Sequence, residues 1–229
     1  MPELTPALST AAIADAAVRL GVRVSVGPPT LRPLLPGVIF SGPAMPVTHL
    51  GSVDVILETI DDSPAGGVLV VDNGGRQDEA CVGDLIVLEA KLAGLAGVVI
   101  WGLHRDTAQL LQIGLPLHSL GAYPYGPRRV PPAGKRMASA FLDGSPVSEG
   151  DHLIGDDDGI LVIGPDRRDE LLALAASIQQ TETTQADRMR AGTSLRSQLD
   201  FAAYRERQAS DPGYTLRQHL RESGSAIET

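Results

Sequence analysis

The sequence predicts an α/β fold in which parallel strands are buried on both faces, followed by a C-terminal helical extension. Two observations predict the sheet: continuous apolar runs such as Val68-Leu69-Val70-Val71 and Val98-Val99-Ile100-Trp101, and helical segments alternating with them. Strands covered on both faces lose the in-out alternation of a half-exposed sheet, and parallel neighbours need a crossover helix between them. A third observation predicts the extension: strand-like runs cease beyond Pro165, and residues 166–190 read as one helix.

In chain order, Ser9 to Leu20 carries Ile13, Ala16, Ala17 and Leu20 at helical spacing, with Ser9 or Thr10 as N-cap and Gly21 as stop. Residues Gly27 to Pro46 contain six prolines and read as a loop leading to a short strand near Val38 to Phe40. A helix is expected over Ser52 to Ile60. The first apolar run follows, then a helix from Gly83 to Ala93, the second run, a helix from Arg105 to Gln112 and a strand within Leu115 to Leu120. Gly94 and Gly114 fit helix stops. Tyr125-Gly126-Pro127-Arg128-Arg129 and Pro131-Pro132 read as loop. Strand-like pieces recur at Ala138 to Leu142, His152 to Ile154 and Ile160 to Ile163, the last two flanking a hairpin turn at Gly155-Asp156-Asp157-Asp158-Gly159. The long helix after Pro165 has too little apolar surface to stand alone, so it is expected to pack on its own domain or on a neighbouring subunit. The expected division is a domain over 1–165 and an extension over 166–229.

With 229 residues, 43% of them hydrophobic, the chain can bury a substantial core. Its net charge is -9, with eighteen acidic and ten basic residues up to Pro165. An acidic body repels phosphate backbones, so no nucleic-acid partner is expected. The opening MPELTPALST has neither a basic nor an apolar targeting segment, and no apolar run approaches the roughly 18 residues of a membrane span. The expectation is a soluble, cytoplasmic protein with no membrane partner. Cys81 is the only cysteine, which excludes an internal disulfide and any multi-cysteine metal site and leaves a small buried apolar residue.

Ligands of an open parallel sheet gather beyond the carboxyl ends of its strands, where loops are free and helix N-termini converge. Three segments are expected there: Asp72-Asn73-Gly74-Gly75, Gly83-Asp84-Leu85-Ile86 and Gly102-Leu103-His104-Arg105-Asp106. Gly83 allows close approach of a ligand, and the amides of Leu85 and Ile86 can receive a carboxylate. Asp84 and Asp106 each either cap a helix or belong to a site. Arg105 opposes the helix macrodipole, so it binds an anion or bridges to Asp84 or Asp106. Other candidates fall away. Asp156, Asp157 and Asp158 point to alternate faces and cannot converge on one ion. His49, His104, His118, His152 and His219 lack zinc-site spacing, and only His104 lies near the proposed site. Ser41 and Ser119 have no nucleophile-elbow context. Asn73-Gly74-Gly75 lacks the Lys and Ser/Thr of a phosphate loop.

Gly83-Asp84-Leu85, Ala90-Lys91, Gly94, Gly97-Val98-Val99, Gly102, Arg105-Asp106, Pro116 and the Gly155 to Gly159 turn together resemble the RraA-like family. That family contains the regulator of ribonuclease activity A and the class II 4-hydroxy-4-methyl-2-oxoglutarate/4-carboxy-4-hydroxy-2-oxoadipate aldolases. The resemblance runs from about Leu8 to Pro165. It implies an αββα sandwich of the swivelling-domain type, assembled as a homotrimer or homohexamer with sites between subunits. It also implies a divalent ion, Mg²⁺ or Mn²⁺, bound directly by Asp106 and through water by Asp84. Arg105 and Asp84 would act in catalysis, and a 2-oxo acid would be held by Arg105, Gly83 and the amides of Leu85 and Ile86. The implied reaction cleaves a 4-hydroxy-2-oxo acid to pyruvate and a second carbonyl product, with oxaloacetate decarboxylation as a side activity. The alternatives are a non-catalytic, protein-binding regulator of the ribonuclease-inhibitor type and a family enzyme turned to another enolate-forming reaction. Trp101 and His104 stand where many members carry an acidic and a small residue, so both are expected to reshape the pocket beside Arg105. Glu170 and Glu182 are candidates for a carboxylate offered to a neighbouring subunit.

Overall fold

A computed structural model of the chain describes residues 7–129 and 139–223. In chain order the elements are α1 (Thr10–Leu20), β1 (Ser25–Val26), β2 (Arg32–Pro33), β3 (Phe40–Thr48), α2 (Asp54–Asp61), β4 (Val68–Asp72), β5 (Ala80–Val82), α3 (Asp84–Leu92), β6 (Gly97–Trp101) and β7 (Leu103–His104). They continue with α4 (Thr107–Ile113), β8 (Leu117–Ser119), β9 (Ser139–Leu142), β10 (Ser145–Ser148), β11 (His152–Asp156), β12 (Gly159–Ile163), α5 (Arg168–Arg190), α6 (Leu195–Gln198), α7 (Phe201–Ser210) and α8 (Leu216–Glu222). The described residues fall into two compact units, 7–11 with 23–168 and 12–22 with 169–223. Among them no helix is long and apolar enough to cross a membrane.

In the first unit, the two apolar runs form adjacent parallel strands, β4 and β6, in a sheet ordered β1-β12-β11-β3-β4-β6-β8-β2. The neighbours β3, β4, β6 and β8 are parallel, while β11, β12, β1 and β2 join antiparallel. Alternate residues serve opposite faces. Leu69, Val71, Val98 and Ile100 pack with Ile56 and Ile60 of α2, Val87 and Ala90 of α3 and Leu110 of α4. Val68, Val70 and Val99 pack instead with Ala140, Leu142 and Val147 of the β9–β10 hairpin and with Leu153, Ile160 and Val162. Burial on both faces is therefore achieved with helices on one side and strands on the other.

The long strand β3 corrects the sequence expectation, which made most of residues 27–46 a loop. Its two prolines lie where no ladder bond is required. Pro43 precedes the pairing with β4, which begins at Ala44. The Ala44 N–H points to the other side and reaches Asp151 O at 2.9 Å. Pro46 shares that side, beyond the end of the β11 ladder at Pro43. The Asp156 turn is a hairpin as expected. Thr10 donates from its backbone N and its hydroxyl to the Asp156 carboxylate, both at 2.8 Å, and the Asp157 carboxylate accepts from Gly37 N. Pro131-Pro132 lies outside the described residues.

In the second unit, three further helices follow Arg190 within the helical extension. The stripes Ile13, Ala16, Ala17 on α1 and Leu171, Ala175, Ile178 on α5 are buried at helical spacing. Tyr204 of α7, His219 of α8 and Tyr214 between the two helices form a ring cluster, and the Arg207 guanidinium lies 4.0 Å over the Tyr214 ring. Thr215 and Gln218 form a reciprocal capping box that starts α8.

Candidate functional site

Two very short strands bring the predicted site residues together. β5 and β7 pair in parallel, with Ala80 opposite Leu103 and Val82 opposite His104. The residues that follow each strand, Gly83-Asp84 and Arg105-Asp106, therefore emerge side by side, and Arg105 N donates to Val82 O at 3.0 Å. Sequence periodicity gave no sign of this pair, because strands of two or three residues are too short to show a period.

Asp106 was expected to open its helix and does so at the N-cap of α4, in the left-handed region at φ 63, ψ 38. Its side chain makes no bond to that helix. The carboxylate turns back instead, placing Oδ2 3.3 Å from Arg105 Nε and 3.4 Å from Asp84 N. Capping of its own helix is thereby removed as an explanation for Asp106. Asp84 is the first residue of α3, and its Oδ1 accepts from Leu85 N at 2.8 Å. The Leu85 amide is thus engaged internally, and a substrate carboxylate there would replace the Asp84 oxygen. Gly83 offers α3 no side-chain cap, so the helix itself leaves the amide of Ile86 unpaired.

Gly83 was expected to admit a ligand. A Cβ at this position would lie 2.5 Å from Asp106 Oδ2 and 3.2 Å from Arg105 Nε, so the missing side chain makes room for the site's own residues. Arg105 lines a cavity of about 410 Å³ with Asp84, Leu85, Ile86, Cys81 and Leu57, and a second of about 350 Å³ with Asp106 and Tyr123. Burial pushes the Cys81 thiol up to about 12, which keeps it protonated and unreactive at neutral pH.

Trp101 and His104 line neither cavity. Trp101 lies against Gly75, and the His104 ring is buried, with Nδ1 2.7 Å from Ser119 Oγ and Nε2 3.1 Å from Thr107 Oγ1. Burial lowers the His104 pKa and so favours the neutral ring. Glu170 and Glu182 both lie on α5.

Among the described residues, no three His, Cys, Asp or Glu side chains converge as a cage for a metal ion. Asp84 and Asp106 each keep one carboxylate oxygen outside the bonds just described. Such an oxygen-only set fits a hard divalent cation that retains several waters, and it does not suit a soft metal.

Sequence reasoning missed a polar cluster beside this site. Glu79 is buried and accepts from Arg76 Nε at 3.0 Å and from Arg129 Nε at 3.2 Å. Arg76 Nη2 also reaches His49 O and Asn73 Oδ1. Only the partners' proximity in space reveals the cluster, since Glu79 and Arg129 are 50 residues apart.

A family model described as "RraA-like: Aldolase/RraA" matches residues 10–162. A Deinococcus radiodurans protein described as "Putative 4-hydroxy-4-methyl-2-oxoglutarate aldolase" is 32% identical over 142 residues, 62% of this chain and 88% of that protein. Among solved structures, an uncharacterized protein from Pseudomonas syringae pv. tomato superposes with a TM-score of 0.72 at 28% identity, covering 82% of this chain and 90% of that one. The RNA-processing inhibitor RraA from Thermus thermophilis superposes with a TM-score of 0.58 at 26% identity, covering 67% and 92%.

Proposed function

The chain belongs to the RraA-like family, and we propose that it is a divalent-metal-dependent aldolase cleaving a 4-hydroxy-2-oxo acid to pyruvate and a second carbonyl compound. The observation that carries the reading is the Asp106 carboxylate, turned away from its own helix towards Arg105 and the first amide of α3. A carboxylate recruited only to cap would satisfy α4. This one spans the two segments that meet beyond β5 and β7.

In this reading Asp106 holds the ion directly and Asp84 holds it through water. The bound ion supplies Lewis-acid withdrawal of electrons from the 2-oxo group. The amides of Leu85 and Ile86 take the substrate carboxylate at the N-terminus of α3, where the helix field favours an anion. Arg105 stands between the two cavities and stabilises the negative charge that develops on the carbonyl oxygen as the C3–C4 bond breaks, a contribution of about 3 kcal/mol for one well-aimed donor. The same arrangement accounts for decarboxylation of oxaloacetate as a side activity.

The test is pyruvate release from 4-hydroxy-4-methyl-2-oxoglutarate and from oxaloacetate by purified protein, with Mg²⁺ and with chelator. Turnover should require the ion and should fall by about 100-fold or more in Arg105→Ala and Asp106→Ala. Gly83→Ala should lose a similar factor while its melting temperature stays near wild type, because its Cβ displaces the Asp106 carboxylate. Turnover that survives chelation, or that persists in the first two variants, would end the aldolase reading.

A second reading, a non-catalytic protein-binding regulator, is favoured by the likeness to the Thermus inhibitor and by the exposed leucines of α3. Inhibition of a ribonuclease by protein that turns over neither substrate would select it.

A further inference from the structure

Resting on the aldolase reading, we propose that His104 is a positioning residue, whose buried ring locks the turn presenting Arg105 and Asp106. Those two residues occupy the only positions between His104 and Thr107, and the His104 Nε2 to Thr107 Oγ1 contact closes a loop around them. On its other side the ring is anchored by Ser119 Oγ, which in turn accepts from Gly121 N at 3.1 Å. Both backbone polar groups of His104 are tied to the 121–123 segment: its N donates to Gly121 O, and its O accepts from Tyr123 N. The imidazole therefore transmits the position of the β8 end to the first residue of α4.

The turn needs such a lock because of its conformation. Asp106 is left-handed, a state costing an L-residue about 1–2 kcal/mol, and its side chain gives α4 nothing in return. Upstream, the turn is tied by the Arg105 N to Val82 O bond, and downstream the α4 ladder begins with Leu110 N on Asp106 O. Neither bond fixes Thr107 against the sheet. With the imidazole contact removed, Asp106 can relax from its left-handed state, and its carboxylate then leaves the space over Gly83. A proton-carrying role for His104 does not fit, since both ring nitrogens are taken by hydroxyls and the residue is only 4% exposed.

The test uses Thr107→Val, which removes the hydroxyl at nearly constant volume, beside His104→Ala and His104→Gln. Glutamine can replace Nε2 at Thr107, so it serves as the rescue. Amide hydrogen exchange across 105–113 should accelerate about tenfold in the valine and alanine variants while 68–72 of β4 stays unchanged, and glutamine should restore most of the protection. For pyruvate release, kcat should drop about 10- to 100-fold, as expected for a misplaced catalytic group. KM should stay within about threefold, because the substrate carboxylate is held by α3 rather than by the turn. Unchanged exchange over 105–113 in Thr107→Val overturns the proposal, as does acceleration spread equally over β4. If wild-type protein released no pyruvate, the aldolase reading would fall while the exchange result still decided the lock. Should His104→Ala fail to fold, Thr107→Val carries the test by itself.

Discussion

Glu79 shows how much of the region around the site depends on one buried carboxylate. The Arg129 hydrogen bonds, and then those of Arg76, outweigh burial and hold its carboxyl down to about 2. Because Ala80 N also bonds Tyr125 O at 2.8 Å, the cluster fastens the 123–129 segment beside the cavities. A carboxyl whose folded pKa lies below its unfolded value of 4.5 stabilises the fold fully above that pH, and the contribution fades as pH falls towards 2. Glu79→Gln keeps the shape but not the charge, leaving two guanidiniums without their anion. It should cost about 2 kcal/mol at pH 7, and its deficit relative to wild type should shrink as pH drops from 4.5 towards 2. Denaturant titrations of both proteins across that window check this. Two stability curves that run parallel would show that the charge of Glu79 is not what stabilises the cluster.

At the scale of elements, β3 is the sharpest departure from the sequence reading and offers a clean contrast. Pro46 lacks an N–H on the side where no strand pairs, whereas the Ala44 N–H on the same side is bonded to Asp151. Pro46→Ala should therefore change stability by well under about 1 kcal/mol, while Ala44→Pro should cost about 2 kcal/mol or more. Equal losses in chemical denaturation would show that this account of the prolines is wrong. The same strand explains what the sequence could and could not convey. The Val68 and Val98 runs announced β4 and β6, because burial on both faces writes itself as unbroken apolar residues. β3 was hidden because two prolines mimic a loop when register is unknown. β5 and β7 were hidden because their pairing is a tertiary fact. For the site, Asp84, Arg105 and Asp106 were legible from residue type and from the resemblance. The direction of the Asp106 carboxylate, the occupant of the Leu85 amide and the partners of His104 were not legible, since each depends on side-chain conformation. Within the helical extension, the separate helices beyond Arg190 were not delimited because their buried anchors, Tyr204, Tyr214 and His219, are aromatic or polar and give little apolar periodicity.

At the scale of the molecule, the outer face of α3 leaves work undone. Leu85 and Leu92 are 76% and 74% exposed, Leu88 lies between them, and Val53 and Leu57 add partly exposed apolar surface at the rim of the larger cavity. Scattered exposed leucines need no explanation, but several on one helix beside an apolar cavity form a patch of the kind that marks association. In a chain of net charge -9, general electrostatics oppose self-association, so a contact there must be specific and apolar. The expectation is a homotrimer or homohexamer with α3 at the subunit contact, which would place a neighbour beside Asp84 and Arg105. Light scattering should return three or six times the 24.0 kDa chain mass. The pair Leu88→Glu and Leu92→Glu, neither of which lines the cavity, should reduce this to a single chain, because each buried carboxylate would lack a partner. Lost turnover in the dissociated variant would then place part of the site on the neighbour, and retained turnover would make each chain self-sufficient. A wild-type protein that stays monomeric at micromolar concentration would remove α3 as an interface and leave its leucines to another partner.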